Sequence, residues 1–127
     1  MGCTSLRVRV KGKYDLDFKN PLSEPDSLLT ADEMTAMYKD FIDKYPVISI
    51  EDPFEQDAWD AFSHVTLTMP NIQWVGDDLL VTNIARVKTG IQKAAVNTLL
   101  LKVCKAQVSH LRLPTSVLYV INDNKRV

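Results

Sequence analysis

With 127 residues the chain can bury the core of one domain, and no stretch rich in Gly, Pro or Ser divides it. Apolar residues make up 46% and charged residues 24%, and no run reaches about 18 apolar residues, so the composition suits a soluble globular protein and excludes a helical membrane span. The net charge of −1 is unevenly spread. Residues 14–103 hold 15 acids against 7 bases, a local charge of −8, which disfavours nucleic-acid phosphates as partners and favours divalent cations.

The ends of the chain are basic, yet they lack interleaved aromatics and any nucleic-acid module. Met1 to Ser5 has neither the apolar core of a signal peptide nor, with Leu6 following, a myristoylation pattern. Cys3 and Cys104 make no disulfide framework. A cytoplasmic protein with no membrane and no nucleic-acid partner is expected.

Leu6–Val10 alternates apolar and basic residues, and Gly12–Phe18 alternates again, so an N-terminal β segment is expected before Pro21. Thr30 and Glu33 have the spacing of a capping box. Met34, Met37, Tyr38, Phe41, Ile42 and Tyr45 follow on one helical face, and Pro46 stops that helix. Val47–Ile50 reads as a buried strand. A second helix spans about residues 57–68, with Trp59, Phe62, Val65 and Met69 on one side. Ile72–Val75 is the next strand. A third helix starts near Thr82 or Asn83, either of which can cap it, and carries Ile84, Val87, Ile91 and Ala94 inward. Gly90 inside it costs about 1 kcal/mol against Ala. Thr98–Leu101 is a third buried strand, and Ser116–Ile121 could form one more. The chain therefore divides into divergent flanks, residues 1–11 and 104–127, around one ordered module, residues 12–103.

Helices alternating with near-continuous apolar strands argue for an α/β fold with a helix-covered parallel sheet. Neither Gly-x-Gly-x-x-Gly nor a Walker lysine loop occurs. Each strand instead ends on charge, at Glu51-Asp52, Asp77-Asp78 and Lys102. Glu51 to Asp77 is 26 residues and Asp77 to Lys102 is 25, the length of one strand, loop and helix. Side chains at the carboxyl ends of parallel strands converge on one mouth, which favours a TIM-type (β/α) barrel. A complete barrel takes about 200 residues or more, so the chain supplies a partial one of about three βα units.

Paired acids after strands suit magnesium, which takes carboxylate oxygens and keeps water in its remaining positions. Acids there also cap helices, and Asp52, Asp77 or Asp78 could do so. Lys102 follows three leucines. Unpaired, its pKa would drop and it could act as a base; paired with Glu51 or Asp77, it would be a structural ion pair. His64 falls on a polar helix face and reads as a surface residue. His110 lies in the divergent tail. No Ser/His/Asp arrangement or zinc spacing is present.

Four blocks, Gly12-Lys13-Tyr14-Asp15-Leu16-Asp17-Phe18-Lys19, Tyr45-Pro46-Val47-Ile48-Ser49-Ile50-Glu51-Asp52-Pro53-Phe54, Gly76-Asp77-Asp78-Leu79-Leu80-Val81-Thr82-Asn83 and Leu99-Leu100-Leu101-Lys102-Val103, closely resemble enolase, in order and in approximate spacing. The resemblance covers about residues 12–103, part of that family's C-terminal barrel domain. It implies a magnesium-dependent (Mg2+) lyase that dehydrates 2-phosphoglycerate, a small-molecule substrate, to phosphoenolpyruvate in glycolysis. On that analogy Glu51 and Asp77 are metal ligands lining the substrate-binding site, and Lys102 is the catalytic base. Ungapped counting back from Gly12 puts Gly2 where the family has a third metal-binding aspartate, and the family's N-terminal domain, source of the acid that protonates the departing hydroxyl, has no counterpart in these residues. The isolated chain is therefore expected to be inactive and to associate, as a homo-oligomer, through exposed sheet edges. The alternatives are a non-catalytic enolase-like remnant or interaction protein, and a small acidic magnesium-binding module.

Overall fold

A computed structural model describes residues 8–10, 12–17, 20, 28–102 and 116–120. Val8–Val10 (β1) and Lys13–Tyr14 (β2) pair antiparallel across Gly12, whose φ of +75° suits a residue without a Cβ. The alternation expected through Phe18 does not continue as strand, and Phe18 itself lies outside the described residues. The Asp15 carboxylate accepts the Asp17 N–H at 2.9 Å and turns the chain, leaving Leu16 exposed. Tyr14 bridges to Leu29 through two backbone bonds of 2.7 and 2.8 Å, which ties this hairpin to the first helix.

That helix, Ala31–Lys44 (α1), begins as its sequence demands. Thr30 Oγ1 accepts the Glu33 N–H at 3.2 Å, and Glu33 Oε2 accepts the Thr30 N–H at 2.7 Å. Its buried face is narrower than the periodicity suggested. Met34 and Tyr38 are buried and Met37 and Ile42 partly so, but Phe41 and Tyr45 stay exposed. The remaining elements are Ser49–Glu51 (β3), Trp59–Thr68 (α2), Gln73–Gly76 (β4), Ile84–Gln92 (α3), Thr98–Lys102 (β5) and Ser116–Val120 (β6).

Strands β3, β4 and β5 are parallel neighbours in chain order, so the sheet grows in one direction as a barrel wall does. This is an α/β fold in which three parallel strands with their helices match part of a TIM barrel. Strand β6 departs from that pattern by pairing antiparallel to β5, with Lys102 opposite Ser116.

Strand alternation then sorts the side chains. Ile50 and Trp74 are register partners and face the helices. There Tyr38, Phe54, Phe62 and Trp74 make an aromatic cluster, with Phe54 edge-on to Tyr38 at 6.0 Å and to Phe62 at 5.7 Å. Asn97 joins β4 to β5 at the amino ends, accepting the Trp74 N–H and donating to the Ile72 carbonyl, both at 2.8 Å.

Helix α3 corrects the expected inward face. Ile84 and Ile91 are exposed, at 75% and 44%, while Val87 and Gly90 turn to the core. Leu80, wholly buried in the loop before the helix, fills the space; a Cβ on Gly90 would lie 3.1 Å from its Cδ2. The glycine thus has a packing role that offsets its helical cost.

Candidate functional site

The face opposite the helices carries Glu51, Val75 and Thr98 in register. Two residues beyond Val75 is Asp77, and four beyond Thr98 is Lys102, so alternation turns Glu51, Asp77 and Lys102 towards one place. Oxygens of Glu51, Asp52 and Asp77 lie within 4.8 Å of one another. Lys102 Nζ donates to Asp77 Oδ2 in an ion pair whose carboxylate is buried. The three residues singled out from the sequence therefore meet at the carboxyl ends of the strands.

Asp52 joins them in a way the sequence left open. It is not a helix cap: Ala58 caps α2 without a side-chain bond, and Asn83 caps α3 by accepting the Ala85 and Arg86 N–H groups. Its backbone adopts φ +42°, and its N–H donates to the Val75 carbonyl at 3.0 Å. The carboxylate then accepts the Asp77 N–H at 3.0 Å and the Asp78 N–H at 2.9 Å. An Asp directly after a strand-ending Glu, able to reach backbone groups and tolerant of left-handed backbone, was the available signal. Across the site, Thr82 Oγ1 accepts the Lys102 N–H at 3.3 Å from a loop in which Val81 and Thr82 both have positive φ.

Arg86 braces the loops from behind. It donates to the Leu79 carbonyl, to the Gln56 carbonyl at 2.6 Å and to Asp57 Oδ1 at 2.8 Å, and lies 4.9 Å over the Trp59 ring. Its links join the loop after β3 to the loop after β4. Beside the start of α2 an open cleft of about 550 Å³ runs between Tyr14 and Trp59, away from the carboxylates.

Electrostatics describe a cluster short of positive charge. Burial raises the Glu51 pKa, and repulsion from Asp52 and Asp77 adds to it. Burial also raises Asp52, outweighing the Asp78 and Asp77 N–H bonds that pull it down. Lys102 moves opposite to the lowered pKa that an unpaired lysine would show. Its bond to Asp77 raises it, with further help from the Asp77, Glu51 and Asp78 charges. Three carboxylates against one ammonium leave a charge deficit, and an all-oxygen donor set is what a hard divalent cation takes. The residues present fit such an ion.

His64 is exposed on α2, as its polar helix face implied, and His110 lies outside the described residues. Among the described residues no helix is long and apolar enough to cross a membrane. Residues 3–114 match the family model of the enolase C-terminal TIM barrel domain. That span covers the three parallel strands, their helices and the whole carboxylate–lysine cluster. The chain belongs to the enolase C-terminal TIM barrel domain family.

Proposed function

We propose that the chain carries out enolase-type lyase chemistry on 2-phosphoglycerate, with Glu51 and Asp77 holding magnesium and Lys102 as the base. The observation that carries this reading is the meeting of two carboxylates and one lysine, from three successive parallel strands of an enolase-family barrel, at one mouth. Magnesium bound there would supply positive charge to a substrate carboxylate and stabilise the negative charge that grows on it. Lys102 would take the proton from the carbon beside that carboxylate. To do so it must first leave Asp77 and lose its own proton, because paired it is held as an ammonium. Substrate binding that draws on Asp77 would release it.

The Lys102–Asp77 pair also favours a second reading, in which the lysine is a structural partner and the domain performs no reaction. Hydrogen exchange at carbon 2 of 2-phosphoglycerate separates the two. It needs only bound substrate, metal and base. In deuterated water with excess magnesium, NMR should show deuterium entering at carbon 2, and Lys102→Ala should abolish it. No exchange would establish the non-catalytic reading, and exchange that survives the substitution would remove Lys102 as the base.

A further inference from the structure

Among the described residues four non-glycine positions adopt positive φ, and three of them, Asp52, Val81 and Thr82, lie in the two loops at the mouth. Such backbone is unfavourable for any residue with a Cβ and most so for branched ones, so it persists only where surrounding bonds hold it. At Asp52 the bonds are explicit. The turn at φ +42° lifts the carboxylate off its own strand and sets it against the Asp77 and Asp78 N–H groups of the next. The residue before Asp52 is Glu51, and the first residue it grips is Asp77. It therefore spans the gap between the two carboxylates that would have to close on one ion. Thr82 does the equivalent on the other side, bridging the loop after Asp77 to the backbone of Lys102.

Position alone would also allow Asp52 to be a third ligand, since its oxygens lie within 4.8 Å of those of Glu51 and Asp77. The hydrogen bonds argue otherwise. Both Asp52 oxygens accept backbone N–H groups of the β4 terminus, which fixes the carboxylate's orientation for holding that terminus, although each oxygen keeps a second lone pair. Asp77 and Glu51 have no such backbone duty among the described residues.

We propose that Asp52 is a positioning residue that sets the spacing of Glu51 and Asp77 by holding the β4 terminus, and is not itself a ligand. This rests on the metal-site reading given above. The residues that hold ligands in place are commonly worth about 10–100-fold in metal affinity.

The test uses manganese as the probe ion on the full chain, with Asp52→Asn, which keeps one acceptor oxygen, and Asp52→Gly, which keeps the turn and removes both. Titration calorimetry should show affinity falling about 10–100-fold, less for Asn than for Gly. At saturating manganese, electron spin-echo spectroscopy in isotopically labelled water should count the same number of bound waters in both variants as in the unchanged protein. Glu51→Gln should add one water. Amide proton exchange at Asp77 and Asp78 should quicken in both Asp52 variants. An added water in the Asp52 variants would make Asp52 a ligand and overturn the assignment, as would unchanged affinity or loss of folding in both. Manganese binding that depends on Glu51 and Asp77 but ignores Asp52 defeats this inference alone. Binding that ignores Glu51→Gln and Asp77→Asn, or no binding at all, defeats the metal-site reading and this inference with it.

Discussion

The carboxyl ends of β3–β5 and the apolar layer behind the sheet lie one residue apart along the same strands, yet they obey opposite rules. Ile50 and Trp74 face helices, bury apolar surface and need only shape to match. Glu51 and Asp77, next to them or a few residues on, gather like charges, and burial with that repulsion raises the Glu51 pKa. The layer is organised to hold the fold. The mouth is organised against local stability, with left-handed backbone at Asp52 and Thr82 and a buried carboxylate at Asp77. A strained and charge-repelling site beside a relaxed core is the pattern expected where binding, not folding, selected the residues.

The largest effect should come from the layer. Phe62 is fully buried and sits edge-on to Phe54, so Phe62→Ala should cost about 3–5 kcal/mol in urea unfolding. A loss below about 1 kcal/mol would mean the cluster collapses onto the cavity and the layer is not the close-packed element described. The contact between the two regions comes next. A Cβ on Gly76 would lie 2.9 Å from Leu80 Cγ and 3.5 Å from Val96 Cγ1, and Leu80 is wholly buried. Gly76→Ala should therefore cost about 1–3 kcal/mol and, by shifting β4 just before Asp77, weaken divalent-cation binding as well. Cation binding that is untouched by this change would show the mouth to be mechanically independent of the layer.

A smaller effect belongs to the helix cap. Thr30→Ala removes the hydroxyl from the Glu33 N–H and should cost about 1 kcal/mol while leaving cation binding unchanged. The smallest and sharpest contrast is in pH. Two glutamates with the same ordinary value of 4.5 are shifted in opposite directions. Backbone and side-chain bonds from Thr30 lower Glu33, so its stabilising contribution is present above 4.5 and is lost as pH falls through the lowered value. Burial and neighbouring carboxylates raise Glu51, so its contribution is absent below 4.5 and turns unfavourable as pH rises through the raised value. In metal-free buffer Glu33→Gln should be less stable than the unchanged protein at neutral pH, and Glu51→Gln more stable. The Glu51 difference should close as pH falls to 4.5, and the Glu33 difference only once pH falls below the lowered Glu33 value. Urea midpoints across that range with the same sign for both variants would remove the distinction between the two regions.

Local chemistry was legible wherever a short stretch decides it. The Thr30–Glu33 box, the stop at Pro46, a cap at Thr82 or Asn83 and the approximate positions of the three strands were legible because each depends on neighbours within a few residues. Strand β3, however, begins at Ser49 and leaves Ile48, expected to be buried, 76% exposed. The convergence of Glu51, Asp77 and Lys102 was legible for a related reason. Strands that alternate with helices run parallel, and parallel strands deliver their carboxyl ends to one place. Which helical positions reach the core was not. Phe41, Ile84 and Ile91 match the period and remain exposed, because burial depends on what packs opposite, and opposite α3 it is Leu80 from a loop.

Two features of the site were settled only in three dimensions. The sequence offered Lys102 either a lowered pKa or a carboxylate partner, and the fold brought Asp77 to it, 25 residues away. Asp52 looked like a candidate cap for the helix that follows, yet its carboxylate turns sideways to the next strand, 25 and 26 residues on. Residue type and spacing thus determined which groups this protein brings to the mouth. Which of them pair, which repel and which hold the others in place was decided by strand register and by backbone turned left-handed, neither of which a linear pattern encodes.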